Sequence, residues 1–571
     1  MQIILDGHTI EANAGESLLS LVKRLGLDTD SLKTRPLAAD IAGEVFTLNY
    51  IPVRKKDQGL TPSTLRTRRA VARADGTVSL IGYGEARGKA VYERTLLFVF
   101  FLAVRELFPT ARARVNYAVG AGIDIEIEKE EALTEAEVEL IREEMRKIVE
   151  ADLPLERKRM DIEEAISFFE RDGQTDKVRL LKWRKFTYFD VYRYGDYVDY
   201  FYGEMCPSTG YIKVFDLQFR HGGLFLLRPS SADADCATRY VYAPKLAGVF
   251  EESDRWGDLM HCSSVADLND MVEDGRIREL IRVNEALHEK RFAEIATSIV
   301  NRGARAVLIA GPSSSGKTTS ANRVATQLRV LGKSPILLSL DDYYIDRSLV
   351  HPDENGEIDY EHINMIDVPQ FNLDLEALLQ GERVEIPHFD FKSGSRQMIG
   401  HFIEMQENSI LVIEGLHGLN PTLLTPKIDK RLIFRLYVSA LTTLNLDDHN
   451  RISTTDVRLL RRMVRDYETR GASIERTLSM WESVKRGEQR WIFPYQEGAD
   501  AIMNTTLVYE LAVLKKHIYP LLRAVEPQNP CYDEVLNTIK FLHYISDAAV
   551  EDEIPPTSIL REFVGGNTFY R

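Results

Sequence analysis

The stretch RAVLIAGPSSSGKTTS, residues 305–320, decides how the second half of the chain folds. Its apolar, β-branched run at residues 306–310 leads directly into GPSSSGKT at residues 311–318, and then into a segment with helical character. A strand, a glycine-bounded loop and a helix in this order are the context that a phosphate-binding loop requires. The alternative is a chance glycine and serine turn before a helix, but every fixed position of the motif is filled.

Each fixed residue of the loop has a physical role. Gly311 and Gly316 let the backbone curl so that N–H groups point at phosphate oxygens, and the helix N-terminus adds partial positive charge. Lys317 is expected to reach the β and γ phosphates, and the Thr318 hydroxyl to bind magnesium. The rest of the loop is predicted to complete a nucleoside triphosphate site through Ser313, Ser314, Ser315 and Thr319.

Size and composition limit the class of protein. The chain has 571 residues, 44% hydrophobic and 28% charged, which predicts two to four soluble globular domains. The net charge of −15 argues against a general affinity for nucleic acid. Four cysteines without Cys-x-x-Cys spacing favour a reducing compartment. The first residues lack a secretory pattern, and the apolar run at residues 95–104 is too short to span a bilayer, so we expect a buried helix and a cytoplasmic protein without a membrane partner.

The pattern of elements predicts a multidomain chain of α+β and α/β classes. Residues 1–86 are predicted to form a β-grasp-like module with a linker, whose residues 55–75 are a basic surface excursion. Residues 87–235 read as an α+β domain and residues 236–289 as a helical connector. Residues 290–571 alternate strands and helices, which predicts a parallel sheet next to the phosphate loop, followed by C-terminal helices.

Two later strands each end in a carboxylate. Asp341 follows the apolar run 336–340, and Glu414 follows the run 410–413. Carboxyl ends of parallel strands meet at the ligand-binding edge of a sheet. Asp341 is therefore predicted to accept a proton from an attacking hydroxyl and to help hold magnesium, with Glu414 as a second acidic contact to the metal. Ordinary solvated acids at strand ends are the alternative.

Arginines and an insertion complete the pattern. About 70 residues separate the two acidic strands, and extra structure there is a place to hold an acceptor. Further on, DVRLLRRMVRDYETRG brings five arginines to mostly helical spacing, where they are predicted to neutralise a transferring phosphoryl group or, alternatively, to form a solvated basic helix. They are Arg458, Arg461, Arg462, Arg465 and Arg470.

The C-terminal half resembles the uridine kinase and phosphoribulokinase family over roughly 250 residues. GPSSSGKTT, LDDYY, IPHFDFKSGSR, VIEG and RRMVRDYETRG occur in the family's order. The resemblance implies ATP and Mg²⁺ as cofactors, Asp341 as the general base and Glu414 near magnesium. It also implies roles for the residues that follow: Tyr344, Glu361, Phe389 and Arg396 at the acceptor, Arg462, Arg465 and Arg470 in the lid, and Asp500 near adenine.

Three departures from that family bear on specificity. A histidine that reads the pyrimidine edge in uridine–cytidine kinases is Gly394 here, an arginine after the lid is Ala472, and a glutamine contact is Met480. Lost hydrogen bonds of this kind change specificity strongly. We therefore expect intact phosphoryl transfer with an altered acceptor pocket.

The N-terminal half resembles the TGS module and the second additional, editing-type domain of threonyl-tRNA synthetase over about 200 residues. The family's two histidines, cysteine and histidine correspond here to Phe98, Leu102, Phe201 and Met205. Imidazole and thiolate bind metal or move protons, and these side chains do neither. The resemblance thus implies a domain that has lost editing and zinc binding; a scaffold, an allosteric sensor and a reader of RNA shape remain open. No aminoacylation core follows it.

The sequence as a whole predicts a nucleoside kinase. Two alternatives remain: a nucleotide-gated protein that binds RNA or tRNA through its N-terminal half, and a P-loop kinase for another small sugar alcohol. The oligomeric state, the acceptor and the choice between ATP and GTP stay open.

Overall fold

The computed structural model describes residues 2–13, 15–41, 43–52, 77–120, 122–184, 186–350 and 359–569. The predicted excursion at residues 55–75 lies outside this part of the chain. The chain divides into two compact units. The first comprises Met1–Tyr242, Asn445–Arg451 and Tyr532–Asn537, and the second comprises Ala243–Leu444, Ile452–Cys531 and Thr538–Arg571.

The first unit contains three sheets built from twelve described strands. In chain order these are β1 (Gln2–Leu5), β2 (His8–Glu11), β3 (Pro36–Ile41), β4 (Glu44–Thr47), β5 (Thr77–Gly82), β6 (Arg112–Val119), β7 (Gly122–Glu128), β8 (Glu156–Asp161), β9 (Tyr188–Tyr194), β10 (Tyr197–Asp199), β11 (Asp216–Arg220) and β12 (Gly223–Leu227). The sheet orders are β2-β1-β5-β3-β4, β10-β9-β8 and β11-β12-β7-β6.

The described helices are α1 (Leu18–Arg24), α2 (Ala86–Leu107), α3 (Glu135–Glu150), α4 (Ile162–Arg171), α5 (Thr175–Lys182), α6 (Pro244–Leu259), α7 (Val265–Glu273), α8 (Ile277–Asn301), α9 (Lys317–Val330), α10 (Val368–Leu379), α11 (Thr454–Arg470), α12 (Ile474–Trp491), α13 (Glu510–Ala524), α14 (Tyr532–Leu542) and α15 (Arg561–Val564).

The first residues form the predicted hairpin and helix. Asp6 and Gly7 have φ of 48° and 83°, the left-handed pair that closes a two-residue turn between β1 and β2. Ile3 and Leu5 point into the core, and the Ser17 hydroxyl caps α1 by accepting from the Ser20 amide. Within the described residues, the β-grasp-like pattern is thus confirmed as a five-stranded sheet together with the short helix α1.

The apolar run at residues 95–104 is a buried helix segment, as predicted. All ten of its residues in α2 are buried. The Thr95 hydroxyl is satisfied inside the helix because it donates to the Val91 carbonyl at 2.8 Å. Among the described helices, none combines the length and apolarity needed to cross a bilayer.

The second unit is built on a parallel sheet, as the alternating pattern predicts. Its strands are β13 (Ala306–Ala310), β14 (Ser334–Ser339), β17 (Ser409–Glu414), β18 (Ile433–Ser439) and β19 (Ala501–Asn504). They are ordered β14-β17-β13-β18-β19, and every pairing is parallel. Strands β15 (Val384–Asp390) and β16 (Ser395–Ile403) form a separate antiparallel hairpin within the insertion.

The register of the central strands positions the site. Glu414, the last residue of β17, pairs with Ile309 of β13 on one side and with Ser339 of β14 on the other. The phosphate loop follows β13, and Asp341 follows β14. The loop and both predicted acids therefore start from neighbouring strand ends at one edge of the sheet.

Candidate active site

The phosphate loop, residues 311–318, connects β13 to α9 and needs glycine at both ends. Gly316 has a φ of 83°, in the left-handed region that favours glycine. A Cβ atom on Gly311 would lie 2.0 Å from the carbonyl oxygen of Val438 on β18. The loop is thus held directly against the main chain at the carboxyl end of the sheet.

Polar groups of the loop are available to an anion. The Lys317 ammonium donates only to the Pro312 carbonyl, at 3.2 Å, among the hydrogen bonds of the described residues. The hydroxyls of Ser314 and Ser315 are buried, and neither has a hydrogen-bond partner within the described part of the chain. Buried hydroxyls without partners are costly, and phosphate oxygens would supply the missing acceptors.

Two carboxylates meet the end of this loop. The Thr318 hydroxyl donates to Glu414 Oε1 at 3.2 Å. Burial, and then the nearby Asp341 carboxylate, raises the pKa of Glu414 to about 7. Burial also raises the pKa of Asp341, although the Lys317 ammonium opposes this shift. Two mutually repelling carboxylates beside a lysine are an arrangement that a divalent cation relieves.

The donor set at this point suits magnesium. Mg²⁺ prefers hard oxygen ligands and is commonly held by one or two carboxylates, substrate phosphates and water. Thr318, Asp341 and Glu414 offer one hydroxyl and two carboxylates. In the described part of the chain, no group of three or more His, Cys, Asp and Glu side chains is arranged to hold a metal by itself. The residues present fit a metal that is shared with a phosphate ligand.

Two arginines of α11 brace the loop from inside the protein. Arg458 forms bonds of 2.5 and 2.8 Å with both oxygens of Glu488 and donates to the Ser313 carbonyl at 3.1 Å. Arg461 pairs with Glu510 at 2.6 Å. Both guanidinium groups are almost completely buried. The sequence left two alternatives for these arginines, contact with a phosphoryl group or a solvated basic helix. In the structure, Arg458 and Arg461 do neither and support the loop through buried ion pairs.

The other three arginines of α11 share one acid. Arg462, Arg465 and Arg470 all lie within 4 Å of the buried Asp466 carboxylate. Arg462 also donates to the Ser313 hydroxyl at 2.8 Å. Burial lowers the pKa of Arg462 and that of Arg470. Three guanidinium groups against one carboxylate leave a surplus of positive charge next to the loop, which suits a polyphosphate.

Residues predicted at the acceptor come together on the acidic side of the loop. The rings of Tyr344 and Phe389 are 5.5 Å apart. Burial, followed by the charges of Asp341 and Glu361, raises the pKa of the Tyr344 hydroxyl well above its usual range. Burial and then the Glu488 carboxylate raise the pKa of Glu361 to about 7. The structure thus groups Tyr344, Glu361 and Phe389 near Asp341.

Two other predicted contacts have protein partners. Arg396 forms an ion pair with Asp367 at 2.8 Å. Asp500 is paired with Arg302 and accepts a hydrogen bond from the Arg435 amide at 2.8 Å. To bind a ligand, Arg396 and Asp500 would have to keep or exchange these protein partners.

In the first unit, the four residues that the threonyl-tRNA synthetase resemblance aligns with editing residues are packed as core. Their side chains are 3% exposed or less, and the rings of Phe98 and Phe201 are 6.2 Å apart. Nearby, burial raises the pKa of the Cys206 thiol to about 12, so the thiol stays protonated and unreactive. The apolar set consists of Phe98, Leu102, Phe201 and Met205.

A histidine that sequence reasoning missed lies beside this core. His449 stacks on Phe101 with 3.6 Å between ring centroids. Its Nδ1 atom lies 2.7 Å from the buried Asp199 carboxylate and 3.1 Å from the buried Lys177 ammonium. The imidazole is therefore fixed in a buried charged cluster.

Comparison with known proteins identifies the kinase half. A family model described as "Phosphoribulokinase / Uridine kinase family" matches residues 306–511. The chain is 31% identical over 196 residues to a uridine kinase from Staphylococcus aureus (strain JH9) and covers 84% of that kinase. The chain belongs to the phosphoribulokinase/uridine kinase family. The match covers 34% of the chain.

The other half is similar to threonine–tRNA ligases. The ligase of Carboxydothermus hydrogenoformans is 36% identical over 143 residues, which are 25% of this chain and 23% of the ligase. That of Desulforamulus reducens is 27% identical over 213 residues, which are 37% of this chain and 30% of the ligase. The chain thus spans less than a third of the length of these two ligases.

Two solved structures are also similar. A putative fructose transport system kinase from Silicibacter sp. TM1040 is 18% identical, with a TM-score of 0.28, and the match covers 37% of this chain and 98% of that one. A possible uridine kinase from Bacillus stearothermophilus is 20% identical, with a TM-score of 0.24, and the match covers 38% and 98%.

In this member of the phosphoribulokinase/uridine kinase family, three glutamates near the loop escaped sequence analysis. Glu488 and Glu510 hold the bracing arginines, and Glu562 accepts a hydrogen bond from the Thr319 hydroxyl at 2.6 Å. Their partners lie 30, 49 and 243 residues away along the chain. No local pattern marks them, because long-range ion pairs leave no periodic signal.

Proposed function

We propose that this chain is an ATP- and Mg²⁺-dependent nucleoside kinase that transfers the γ-phosphoryl group to the 5′-hydroxyl of a nucleoside. The observation that carries the proposal is the 3.2 Å contact between Thr318 and Glu414, beside Asp341 and Lys317. The carboxyl edge of the sheet then offers a hydroxyl for binding metal, two carboxylates and an ammonium group. Membership in a family of small-molecule kinases supports the same class of reaction.

The transfer step assigns a role to each group. The acceptor hydroxyl oxygen attacks the γ-phosphorus, the bond from that phosphorus to the β,γ-bridging oxygen breaks, and the hydroxyl proton passes to Asp341. Lys317, the loop amides and the three α11 arginines that share Asp466 (Arg462, Arg465 and Arg470) stabilise the charge on the transferring group. Bound at Thr318, Mg²⁺ would neutralise charge on the phosphate oxygens. Burial raises the pKa of Asp341, and a base with a raised pKa accepts a proton more readily.

The acceptor pocket favours a nucleoside whose base is read differently from uridine. Glu361 would accept hydrogen bonds from ribose hydroxyls, and Phe389 beside Tyr344 would lie along the base. At the departures from the family, Gly394 and Ala472 carry no polar side-chain atom, and Met480 is 47% exposed. A small sugar alcohol remains the closest alternative acceptor, because the same transfer groups would serve it.

A panel assay tests this function. ADP release would be measured with ATP and Mg²⁺ across nucleosides and pentose derivatives, and one nucleoside should stimulate release well above background. Asp341→Asn should lower kcat by about 100-fold or more. Asp429→Asn is the matched control, because the Asp429 carboxylate pairs with the exposed Arg431 before the start of β18, at the opposite edge of the sheet. Equal turnover of Asp341→Asn and wild type would contradict the proposal.

A second function, binding of tRNA through the first unit, is favoured by the 36% identity to a threonine–tRNA ligase. Filter binding of total tRNA at two salt concentrations would test it. Retention that weakens as salt rises would support it, and no retention at low salt would exclude it.

A further inference from the structure

A carboxylate of the chain lies on the phosphate loop where a nucleotide is expected. Thr319 is the third residue of α9, and its backbone N–H lies in the first helical turn, among the groups that face an anion at a helix start. This N–H lies 3.3 Å from Glu562 Oε2. The Thr319 hydroxyl donates to the same oxygen at 2.6 Å. One carboxylate oxygen thus takes both donors of Thr319.

The segment that carries Glu562 is firmly placed on the loop. A Cβ atom on Gly316 would lie 2.8 Å from a methyl group of Ile559, so this side chain covers the glycine. Ser558 donates to the buried Glu285 at 2.5 Å. Phe563 is fully buried, with the Arg461 guanidinium 5.1 Å from its ring centroid. The backbone near Glu562 is therefore fixed, while the glutamate side chain has three rotatable bonds.

Within the described residues, Glu562 differs from the two glutamates that brace the loop, because it has no cation partner. Glu488 and Glu510 are paired with buried arginines. Within the described residues, no lysine, arginine or histidine forms a salt bridge with Glu562. An uncompensated carboxylate next to the loop repels phosphate, and its hydrogen bonds to Thr319 are the ones a phosphate oxygen would make.

We propose that Glu562 is an internal competitor for nucleotide phosphate, whose carboxylate occupies the two donors of Thr319 and is withdrawn when nucleotide binds. The inference rests on the proposed function, because it needs a nucleotide that uses this loop. The Glu562 carboxylate thus lowers nucleotide affinity without contacting the groups that carry out phosphoryl transfer. A ligand then has to provide enough binding energy to replace the Thr319 contacts of Glu562.

Calorimetric titration of ADP with Mg²⁺ tests the competition. Glu562→Gln keeps the size and an acceptor oxygen but removes the charge, so ADP should bind about tenfold more tightly, which corresponds to about 1.4 kcal/mol. Glu553→Gln removes the same charge nine residues earlier, where the carboxylate pairs with Arg278 and Arg282, and should leave ADP affinity unchanged. Unchanged or weaker ADP binding by Glu562→Gln, with the wild-type melting temperature, would overturn the inference.

A second measurement uses the wild-type chain and therefore tests the inference even if Glu562→Gln does not fold. In a crystal structure of the wild-type chain with ADP and Mg²⁺, a phosphate oxygen should replace Glu562 on the Thr319 amide. Glu562 still bonded to Thr319 beside bound ADP would overturn the competition while leaving the kinase proposal intact. If neither wild type nor Glu562→Gln binds any purine nucleotide, the proposed function fails, and this inference fails with it.

Discussion

Glu488 accepts a hydrogen bond from the Ser313 amide at 2.9 Å while it forms a bidentate ion pair with Arg458. Arg458 in turn donates to the Ser313 carbonyl. One residue of the phosphate loop is thus held on both sides by a buried pair of charges on α11 and α12. The loop is shaped before any ligand arrives, which is the condition for efficient electrostatic stabilisation.

Removing one member of that pair should be costly. Glu488→Ala leaves the Arg458 guanidinium buried without its partner, and we expect a loss of about 3–5 kcal/mol in the free energy of unfolding. Urea unfolding measures it. Glu482→Gln on the same helix breaks an exposed pair with Lys485 and should cost less than about 0.5 kcal/mol. Similar costs for the two variants would show that the buried pair does not support the loop.

Sequence patterns predicted the parallel sheet and the phosphate loop because both depend on local order. Residues 306–320 carry strand, loop and helix signals within one short stretch, and Asp341 and Glu414 each end an apolar run. The edge on which they meet follows from the rule for parallel strands. This part of the fold could therefore be predicted without a structure.

The remaining features depend on contacts that are distant in sequence. Arg458 and Arg462 lie four residues apart on α11, yet the first is buried in an ion pair and the second reaches the Ser313 hydroxyl. Helical spacing indicates which residues share a face, but it does not indicate which carboxylate meets them. His449 was missed for the same reason, because its partners Lys177 and Asp199 are more than 240 residues away.

The Thr318 hydroxyl should be needed for the metal. Thr318→Ser keeps the oxygen and should retain wild-type dependence on Mg²⁺ within about threefold. Thr318→Val has a similar shape without the hydroxyl, and kcat/KM should fall by about 100-fold because a metal ligand and the bond to Glu414 are lost. Titrating activity with Mg²⁺ at fixed ATP measures both. A fully active Thr318→Val variant would exclude Thr318 as a ligand.

Glu361 should make the ligand-free protein less stable as pH rises. Its pKa is raised to about 7 in the folded chain, above about 4.3 when unfolded, so the folded state holds the proton between these values. That stabilisation is present below about pH 4.5 and is lost as pH approaches 7. Between pH 5 and 8, the free energy of unfolding of Glu361→Gln should therefore rise by on the order of 1 kcal/mol relative to that of wild type, allowing for partial exposure.

Melting temperatures recorded across this pH range would test the assignment. Glu468→Gln, on the exposed side of α11, should follow the wild-type curve at every pH. A Glu361→Gln curve parallel to that of wild type would show that Glu361 is ionised in the folded chain throughout. The acceptor pocket would then carry a full negative charge at neutral pH.

Lys177 should be a structural cation in the first unit. The residue is 1% exposed, its ammonium lies 3.1 Å from Asp199, and this carboxylate also accepts a hydrogen bond from the Tyr197 hydroxyl at 2.6 Å. Lys177→Met keeps the apolar stem but leaves the buried Asp199 without its lysine partner. We therefore expect the free energy of unfolding to fall by about 3–5 kcal/mol.

Lys147→Met is the matched control, because the ammonium of Lys147 is exposed and pairs with Glu144 at the surface. Its cost should stay below about 1 kcal/mol. Calorimetric unfolding of both variants compares them directly. If Lys177→Met is as stable as the control, the ammonium, Asp199 and His449 are not held together by charge. The apolar core around Phe98 and Phe201 would then have to stabilise this region alone, through packing.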